Sequence, residues 1–82
     1  MVNIVFAESF RRKAIKIKDS ALKEKIKKQI AKIASNPEIG KPMMYARKGT
    51  REVYISPYRL SYSYIPGENK IEFLDLYHKD EQ

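Results

Sequence analysis

Hydrophobic and polar positions change their spacing once along this chain, and the change separates a helical part from a strand part. The short β-branched run from Val2 to Phe6 predicts a buried strand at the start. Apolar residues then recur at intervals of three and four, which predicts a helix from about Phe10 to Lys18 with Ser9 as its cap. The chain is therefore expected to open with one strand followed directly by one helix.

The clearest helical pattern follows in the segment from Ser20 to Ser35. Four apolar residues share one helical face there, at i, i+4, i+8 and i+11: Leu22, Ile26, Ile30 and Ile33. Asp19 and Ser20 supply the break and the cap before this helix. Asn36-Pro37 ends it, because proline disfavours helical geometry in the residue before it. With so short a turn between them, the two helices are expected to form an antiparallel hairpin.

From Met43 onward the pattern changes to β-branched and aromatic residues with a period of two. Strands are predicted over Arg51 to Ile55, Tyr58 to Ile65 and Lys70 to His78. A Pro-Gly-Glu-Asn turn at residues 66–69 separates the last two strands.

Alternation within these strands predicts which side chains face the core. In the first strand, Val53 and Ile55 are expected on a buried face. Glu52 and Tyr54 are expected on a face open to function or water. The last strand has apolar residues on both faces, which predicts an interior strand. Strict alternation there gives two sets of neighbours: Leu74, Leu76 and His78 on one face, and Phe73, Asp75 and Tyr77 on the other.

Together these elements predict a single α+β domain over residues 1–82. Its order is an N-terminal strand, a helical hairpin and three to four antiparallel strands, with both helices packed on one face of the sheet. A chain of 82 residues has room for one small core only. The sheet face opposite the helices is left as the candidate binding surface.

Composition excludes several functional classes. The chain has no cysteine and one histidine, which excludes a disulfide framework and a thiolate nucleophile and argues against a structural zinc site. The acidic residues show no metal-ligand spacing, so neither a metal nor another cofactor is expected. No apolar run approaches the roughly 20 residues of a membrane helix, and no signal peptide is evident. A soluble cytoplasmic protein is therefore expected, with no membrane partner.

Positive charge is concentrated in the first half of the chain. The formal net charge is +7; residues 1–36 carry ten Lys and Arg against three Asp and Glu, whereas residues 37–82 carry seven of each. Residues 41–59 hold five further Lys and Arg, and such a distribution suits a polyanion lying across the N-terminal region and the middle of the chain. The alternative is a lysine-rich helix face that is only solvated.

The polar residues of the strands suit cleavage of RNA, a reaction in which the 2'-hydroxyl of the substrate is the nucleophile. Arginine grips phosphate bidentately and stays charged, so Arg59 and Arg51 are the candidates for stabilising the added negative charge. Histidine exchanges a proton near neutral pH, so His78 is the candidate for proton transfer to the leaving 5'-oxygen. Lys79 would add positive charge beside it.

Each candidate also has a purely structural explanation. Arg59 could pair across strands with Glu72 or Asp75. A histidine at a strand end is commonly a surface or hydrogen-bonded residue, and half-buried tyrosines are typical of strands. Base stacking by Tyr54 or Tyr58 is therefore the less favoured interpretation from the residues alone.

Four short motifs follow one another in the second half of the chain. They are Gly40-Lys41-Pro42, Arg51-x-Val53-x-Ile55, Tyr58-Arg59-Leu60-x-Tyr62 and His78-Lys79. In this order and spacing, and with the preceding strand and Lys-rich hairpin, they resemble the RelE/ParE superfamily of toxin-antitoxin toxins. The resemblance is greatest to the RelE branch of ribosome-dependent mRNA interferases.

The resemblance implies a basic active surface on an antiparallel sheet and an endoribonuclease that cleaves translated mRNA on the ribosome without a metal. It also implies an antitoxin protein as partner, in a hetero-oligomer, and contacts with ribosomal RNA. Arg59 would hold the scissile phosphate, and His78 with Lys79 would occupy the C-terminal catalytic position of the family. The remaining catalytic and RNA-binding residues that it implies are Arg51, Lys41, Arg47, Lys48, Tyr54 and Tyr58.

The sequence departs from the family pattern in three respects. Some members carry lysines where this chain has Glu52 and Tyr54, and a related branch carries a glutamate where it has Met43. Many members have a tyrosine shortly after the His-Lys element, whereas this sequence ends at Gln82 without one. Two alternatives therefore stay open: a ParE-like toxin that poisons DNA gyrase without nuclease activity, and a degenerate homologue that only binds its antitoxin.

Overall fold

The computed structural model describes residues 2–44 and 49–81. In chain order the elements are β1 (Asn3–Phe6), α1 (Glu8–Ile15), α2 (Ser20–Ser35), β2 (Lys41–Pro42), β3 (Thr50–Ile55), β4 (Tyr58–Ile65) and β5 (Lys70–His78). Short 3₁₀ turns, Pro66–Glu68 and Lys79–Glu81, follow β4 and β5. The predicted α+β fold is confirmed. Arg47 and Lys48, two of the expected RNA contacts, lie outside the described residues.

The five strands form one mixed sheet in the order β1-β5-β4-β3-β2. β1 runs parallel to β5, and the other neighbouring strands are antiparallel. β5 lies between β1 and β4, which confirms the expected interior strand. β2 pairs only with Arg51 and Glu52, so the second half of β3 lies at an edge of the sheet as far as it is described.

The start of α2 agrees with the sequence prediction, whereas the start of α1 does not. The Asp19 carboxylate caps α2 by accepting hydrogen bonds from the N–H groups of Ala21 and Leu22, at 2.9 and 3.3 Å. α1 begins at Glu8 and ends at Ile15, so its predicted extension to Lys18 is wrong. The predicted cap by Ser9 is also wrong, because the Ser9 hydroxyl donates instead to Asp75 on β5.

The core lies between the two helices and one face of the sheet. The apolar stripe predicted for α2 is confirmed, since Ile26 and Ile33 are buried and the other two members of the stripe pack against the core. Leu60, Phe73 and Leu76 of the sheet are fully buried beneath the helices. Burial of each such side chain contributes about 1.5–3 kcal/mol to stability. In the described ranges, no helix is long and apolar enough to cross a membrane.

β1 is an exposed edge strand, so the prediction that it is buried is wrong. Ile4, Val5 and Phe6 are 38%, 41% and 40% exposed. Phe6 still stacks on Phe10 and Phe73, with ring centroids 5.6 and 5.4 Å apart. An apolar β-branched run is equally compatible with an edge and an interior position, and here the pairing with β5 alone decides between them.

A β-bulge interrupts the alternation of side chains in β5. Ser61 of β4 pairs with Asp75, whereas the next residue, Tyr62, pairs with Phe73. One extra residue therefore lies opposite β4, and the two sides of the strand exchange at this point. As a result Phe73 and Leu76 both face the helices, which corrects the strict alternation expected from the sequence.

Candidate functional site

The register of the three long strands brings Arg59 between two tyrosines. Arg59 on β4 pairs with Tyr54 on β3 and with Tyr77 on β5. Its neighbour Leu60 points into the core, so Arg59 points to the opposite face of the sheet, away from the helices. This is the face that the sequence left as the candidate binding surface.

Glu52 lies on the same face and is buried, although an open position was expected. It is 6% exposed, and the hydroxyl of Tyr77, itself 8% exposed, donates a hydrogen bond to its Oε2. Its Oε1 lies 3.9 Å from Nη1 of Arg59. The proposed pairing of Arg59 with Glu72 or Asp75 is therefore wrong: the carboxylate beside Arg59 belongs to Glu52.

The guanidinium of Arg59 also lies against the ring of Tyr54. Its Cζ is 5.4 Å from the ring centroid, within the range of a cation–π interaction. The Arg59 side chain is 38% exposed and Tyr54 is 49% exposed, so both remain accessible to a ligand. The Nε atom of Arg59 is buried and has no hydrogen-bond partner among the described residues. The guanidinium is thus held from two sides without a full set of hydrogen bonds.

A cavity of about 420 Å³ opens in front of Arg59. Three residues of the predicted site line it: Lys41, Tyr54 and Arg59. The rest of its described lining comes from β2, the residues that follow it, and β3: Pro42, Met43, Met44, Glu52 and Val53. The cavity combines two cations, one buried carboxylate, an exposed ring and apolar walls. Such a site suits a phosphate together with an unstacked base.

A second depression, of about 250 Å³, connects α2 to the first through Tyr54. It is lined by the exposed lysines Lys25, Lys28 and Lys32 of α2, and by Gln29, Tyr54, Ile55 and Ser56. It forms where β3 lies at the sheet edge, so that α2 and the exposed end of β3 meet. We call the surface formed by Lys25, Lys28, Lys32, Tyr54, Arg59 and Lys41 the basic track.

Arg51 belongs to the other side of the sheet. Its Nη1 donates to the carbonyl oxygens of Glu38 and Gly40, at 3.0 and 2.9 Å, and its Nη2 lies 3.7 Å from the Glu38 carboxylate. These contacts hold the segment between α2 and β2. The structure does not bring Arg51 to Arg59, and its expected catalytic role stays a prediction.

Tyr58 and His78 pair across β4 and β5 on the face that carries the helices. Their rings meet edge to face, with centroids 5.6 Å apart. The Nδ1 of His78 accepts a hydrogen bond from the N–H of Asp80 at 3.2 Å and lies 3.5 Å from the Asp80 carboxylate. Their expected roles in RNA binding and proton transfer stay predictions, because the register separates both residues from Arg59.

Lys79 follows β5 and is exposed. Its backbone N–H donates to the carbonyl oxygen of Pro57 at 3.0 Å, two residues before Arg59. The backbone of Lys79 therefore lies next to the start of β4.

Sequence reasoning missed the hydrogen bond between Tyr77 and Glu52. The two residues are 25 positions apart, and only the joint register of β3, β4 and β5 brings them together. The single sequence signal was a glutamate in a strand where related chains carry lysine. Across the described ranges, no group of three His, Asp or Glu side chains could hold a metal ion.

Comparison with protein families gives one match that spans almost the whole chain. Residues 4–82 match a family described as the ParE toxin of the type II toxin-antitoxin system parDE. No curated protein sequence matches the chain significantly.

Solved toxin structures share the fold at low sequence identity. The chain superposes on the toxin of the intact Escherichia coli RelBE complex with a TM-score of 0.81 and 19% identity, over 95% of this chain and 96% of the other. The YoeB/ParE toxin from Agrobacterium tumefaciens superposes with a TM-score of 0.84 and 18% identity, over 94% of this chain and 98% of the other. A chain of the RelBE2 complex of Mycobacterium tuberculosis superposes with a TM-score of 0.81 and 22% identity, over 95% of this chain and 98% of the other. At these identities the likeness is one of fold.

Proposed function

The chain belongs to the ParE toxin family of type II toxin-antitoxin systems, within the RelE/ParE superfamily, and from its basic track we propose that this toxin is an endoribonuclease that cleaves translated mRNA. Its partner is an antitoxin protein, in line with the RelBE complexes whose toxins share its fold. The antitoxin would neutralise the toxin by covering the basic track.

The observation that carries the proposal is the basic track itself. A strand of RNA presents one phosphate and one base per nucleotide, and the track offers lysines and Arg59 for phosphates and the exposed ring of Tyr54 for a base. Lysines of α2 lead to Tyr54, and Tyr54 leads to Arg59 and Lys41. Ring stacking of a base contributes about 1–3 kcal/mol, and phosphate contacts add attraction that is independent of sequence. A single-stranded RNA thus fits the track better than a small molecule does.

The reaction requires little covalent chemistry from the protein. The ribose 2'-oxygen attacks the adjacent phosphorus while the bond from phosphorus to the 5'-oxygen breaks. The 2'-hydroxyl loses its proton, the 5'-oxygen gains one, and the products end in a 2',3'-cyclic phosphate and a 5'-hydroxyl. Arg59 would bind the phosphate oxygens as their negative charge increases. Lys79, whose backbone is hydrogen-bonded to Pro57 just before β4, would add positive charge.

Ribosome dependence would follow from the same surface. A cavity with two cations gives weak attraction for free RNA at physiological salt, since each phosphate contact is screened. We propose that the α2 lysines bind ribosomal RNA, so that mRNA in the decoding site reaches Tyr54 and Arg59 already bent. The ribosome would then supply much of the positioning that the small domain lacks.

A second function is favoured by the family match. The matching family is the ParE toxin, and Glu52 partly offsets the charge of Arg59, which would weaken an RNA site. A toxin that poisons DNA gyrase by protein binding would have little use for a phosphate pocket. The basic track therefore makes RNA cleavage the leading proposal.

Two parallel assays separate the proposals. The purified toxin is added to ribosomes that translate a defined mRNA, and new RNA 5' ends are mapped by primer extension. The same preparation is added to gyrase, and supercoiling of relaxed plasmid is measured. New RNA ends with normal supercoiling support the nuclease. Blocked supercoiling without RNA ends supports the gyrase poison, and neither effect supports a homologue that only binds its antitoxin.

A further inference from the structure

Glu52 is an acidic residue in a site that we propose to bind a polyanion, and its position beneath Arg59 calls for an explanation. We infer that Glu52 is a positioning residue: its carboxylate, fixed by Tyr77, holds the guanidinium of Arg59 over Tyr54 so that the outer edge faces the cavity. The kinetic part of this inference rests on the proposed RNA cleavage. The geometric part concerns Arg59 alone.

Burial of the Glu52 carboxylate costs free energy that its partners must offset. The Glu52 side chain is 5% exposed, and a buried charge is destabilising unless it is paired and hydrogen-bonded. Its Oε2 accepts from Tyr77, and its Oε1 is the oxygen that lies near Arg59. A hydrophobic residue at this position of β3 would need no such partners. The contacts of the carboxylate are thus with Tyr77 and Arg59 and not with the hydrophobic core, which lies on the other face of the sheet.

The charges of Glu52 and Arg59 lie close together without a direct hydrogen bond. At 3.9 Å the Arg59 Nη1 is attracted to Oε1 but lies beyond hydrogen-bonding distance. The guanidinium is therefore oriented by charge from one side and by the ring of Tyr54 from another. Nε is buried, so the N–H groups of the two terminal Nη atoms are the ones that stay available for phosphate. A guanidinium that is fixed in direction loses less entropy when it binds a transition state.

The two effects of the carboxylate act on different steps. Its negative charge opposes RNA binding, whereas its hold on Arg59 favours the chemical step. Glu52→Gln removes the charge and keeps the size, so it should bind RNA more tightly and cleave it more slowly. A variant that had merely lost structure would show both weaker RNA binding and slower cleavage. Tyr77→Phe keeps the charge of Glu52 but removes its hydrogen bond, so it should slow cleavage without tightening binding.

The matched control is Glu72→Gln. Glu72 lies on the same face of the sheet, on β5, five residues from Tyr77, and the substitution makes the same change in net charge. Thermal unfolding of all variants establishes that they fold. Binding is measured with a single-stranded oligonucleotide that lacks the attacking 2'-hydroxyl, and cleavage with ribosomes translating a defined mRNA. The side-chain NMR signals of Arg59 report whether its guanidinium rotates freely.

The inference predicts a Glu52→Gln variant that binds the oligonucleotide about threefold more tightly and cleaves about tenfold more slowly, with Glu72→Gln close to wild type. It also predicts separate Nη signals for Arg59 in the wild type and averaged signals in Glu52→Gln. Unchanged Nη signals in Glu52→Gln would overturn it, as would parallel losses of binding and rate. If the wild type cleaves no RNA, the proposed function fails, and the NMR comparison still decides whether Glu52 positions Arg59.

Discussion

The hydroxyl of Tyr62 accepts a hydrogen bond from the backbone N–H of Gly40 at 2.9 Å. The same hydroxyl donates to the carbonyl oxygen of Pro37 at 2.8 Å, so one core side chain fixes both ends of the segment that leaves α2. Arg51 holds this segment from the other strand. We call these hydrogen bonds of Tyr62 and Arg51 to residues 37–40 the latch. Because Lys41 follows Gly40 directly, the latch determines the position of Lys41 at the rim of the Arg59 cavity.

Gly40 is the position where the latch tolerates no side chain. A Cβ there would lie 2.6 Å from Oη and 2.8 Å from Cε1 of Tyr62, which is fully buried and has no room to move. Gly40→Ala should therefore lower the free energy of unfolding by about 1–3 kcal/mol, measured by urea denaturation. Gly67→Ala is the control, since a Cβ there meets nothing within 4 Å. Equal losses in the two variants would contradict the latch.

Tyr62 should make the fold sensitive to alkali. Burial raises the pKa of its hydroxyl above the ordinary 10.0 and outweighs the Gly40 hydrogen bond and the Arg51 charge, which lower it. The unfolded chain then loses this proton at lower pH than the folded one. The stabilisation is complete below pH 10 and is lost as the pH rises through the folded-state pKa.

The comparison of Tyr62→Phe with wild type isolates this contribution. The variant lacks both hydrogen bonds and should be less stable by about 1–2 kcal/mol at pH 8. Its unfolding free energy should fall less steeply than that of the wild type above pH 10, measured by denaturant titration at several pH values. Parallel curves for the two proteins would refute the assignment to Tyr62.

Asp75 should contribute the opposite pH dependence. Burial tends to raise the pKa of its carboxyl, but hydrogen bonds from Lys13, the Leu76 N–H and Ser9, with the charge of Lys13, lower it below the ordinary 3.8. A lowered folded-state pKa stabilises the fold above pH 3.8, and this stabilisation is lost as the pH falls through the folded-state value.

Asp75→Asn tests this contribution directly. It should cost about 1 kcal/mol at pH 7, a modest value because a third of the Asp75 side chain is exposed and the Lys13 pair is screened by solvent. The difference from wild type should shrink as the pH falls below about 4, measured by thermal unfolding. A difference that stays constant down to pH 2 would show that the packing of Asp75, not its charge, matters.

Lys79 and His78 are neighbours with different surroundings, and their substitutions should differ. The register places His78 with Tyr58 on the helix face, whereas Lys79 is exposed beside Pro57 at the start of β4. We expect Lys79→Ala to lower the cleavage rate about tenfold or more and His78→Gln to lower it less than about threefold. Initial rates on the same mRNA measure both. The reverse order would support His78 as the proton donor predicted from sequence.

Sequence periodicity predicted the elements whose burial is set locally. The stripe of α2 and the bounds of β4 and β5 were correct, because alternation and helical spacing report which faces meet the core. β1 was wrongly expected to be buried, because its edge position depends on its pairing with β5, almost 70 residues away along the chain. The exchange of faces in β5 was missed because a bulge is a property of two paired strands.

Only part of the candidate site could be predicted, because sequence motifs indicate residue types but not the pairing of strands. Arg59 and Lys41 were chosen from their motifs and Tyr54 as a ring that could stack on a base, and all three line one cavity. Residue type alone could not predict that Glu52 is buried, since its burial depends on Tyr77 two strands away. Nor could it separate Arg51 and His78 from Arg59, because sheet register decides the face on which each one lies.

Cleavage by the Arg59→Ala variant tests the central claim most directly. Ribosomes translating a defined mRNA are treated with wild type, Arg59→Ala or the control Arg12→Ala, whose side chain is 69% exposed on α1. The account predicts codon-phased RNA ends for the wild type and the control, and a loss of about a hundredfold or more for a folded Arg59→Ala protein. Codon-phased ends of equal intensity from Arg59→Ala, or none from the wild type, would contradict it.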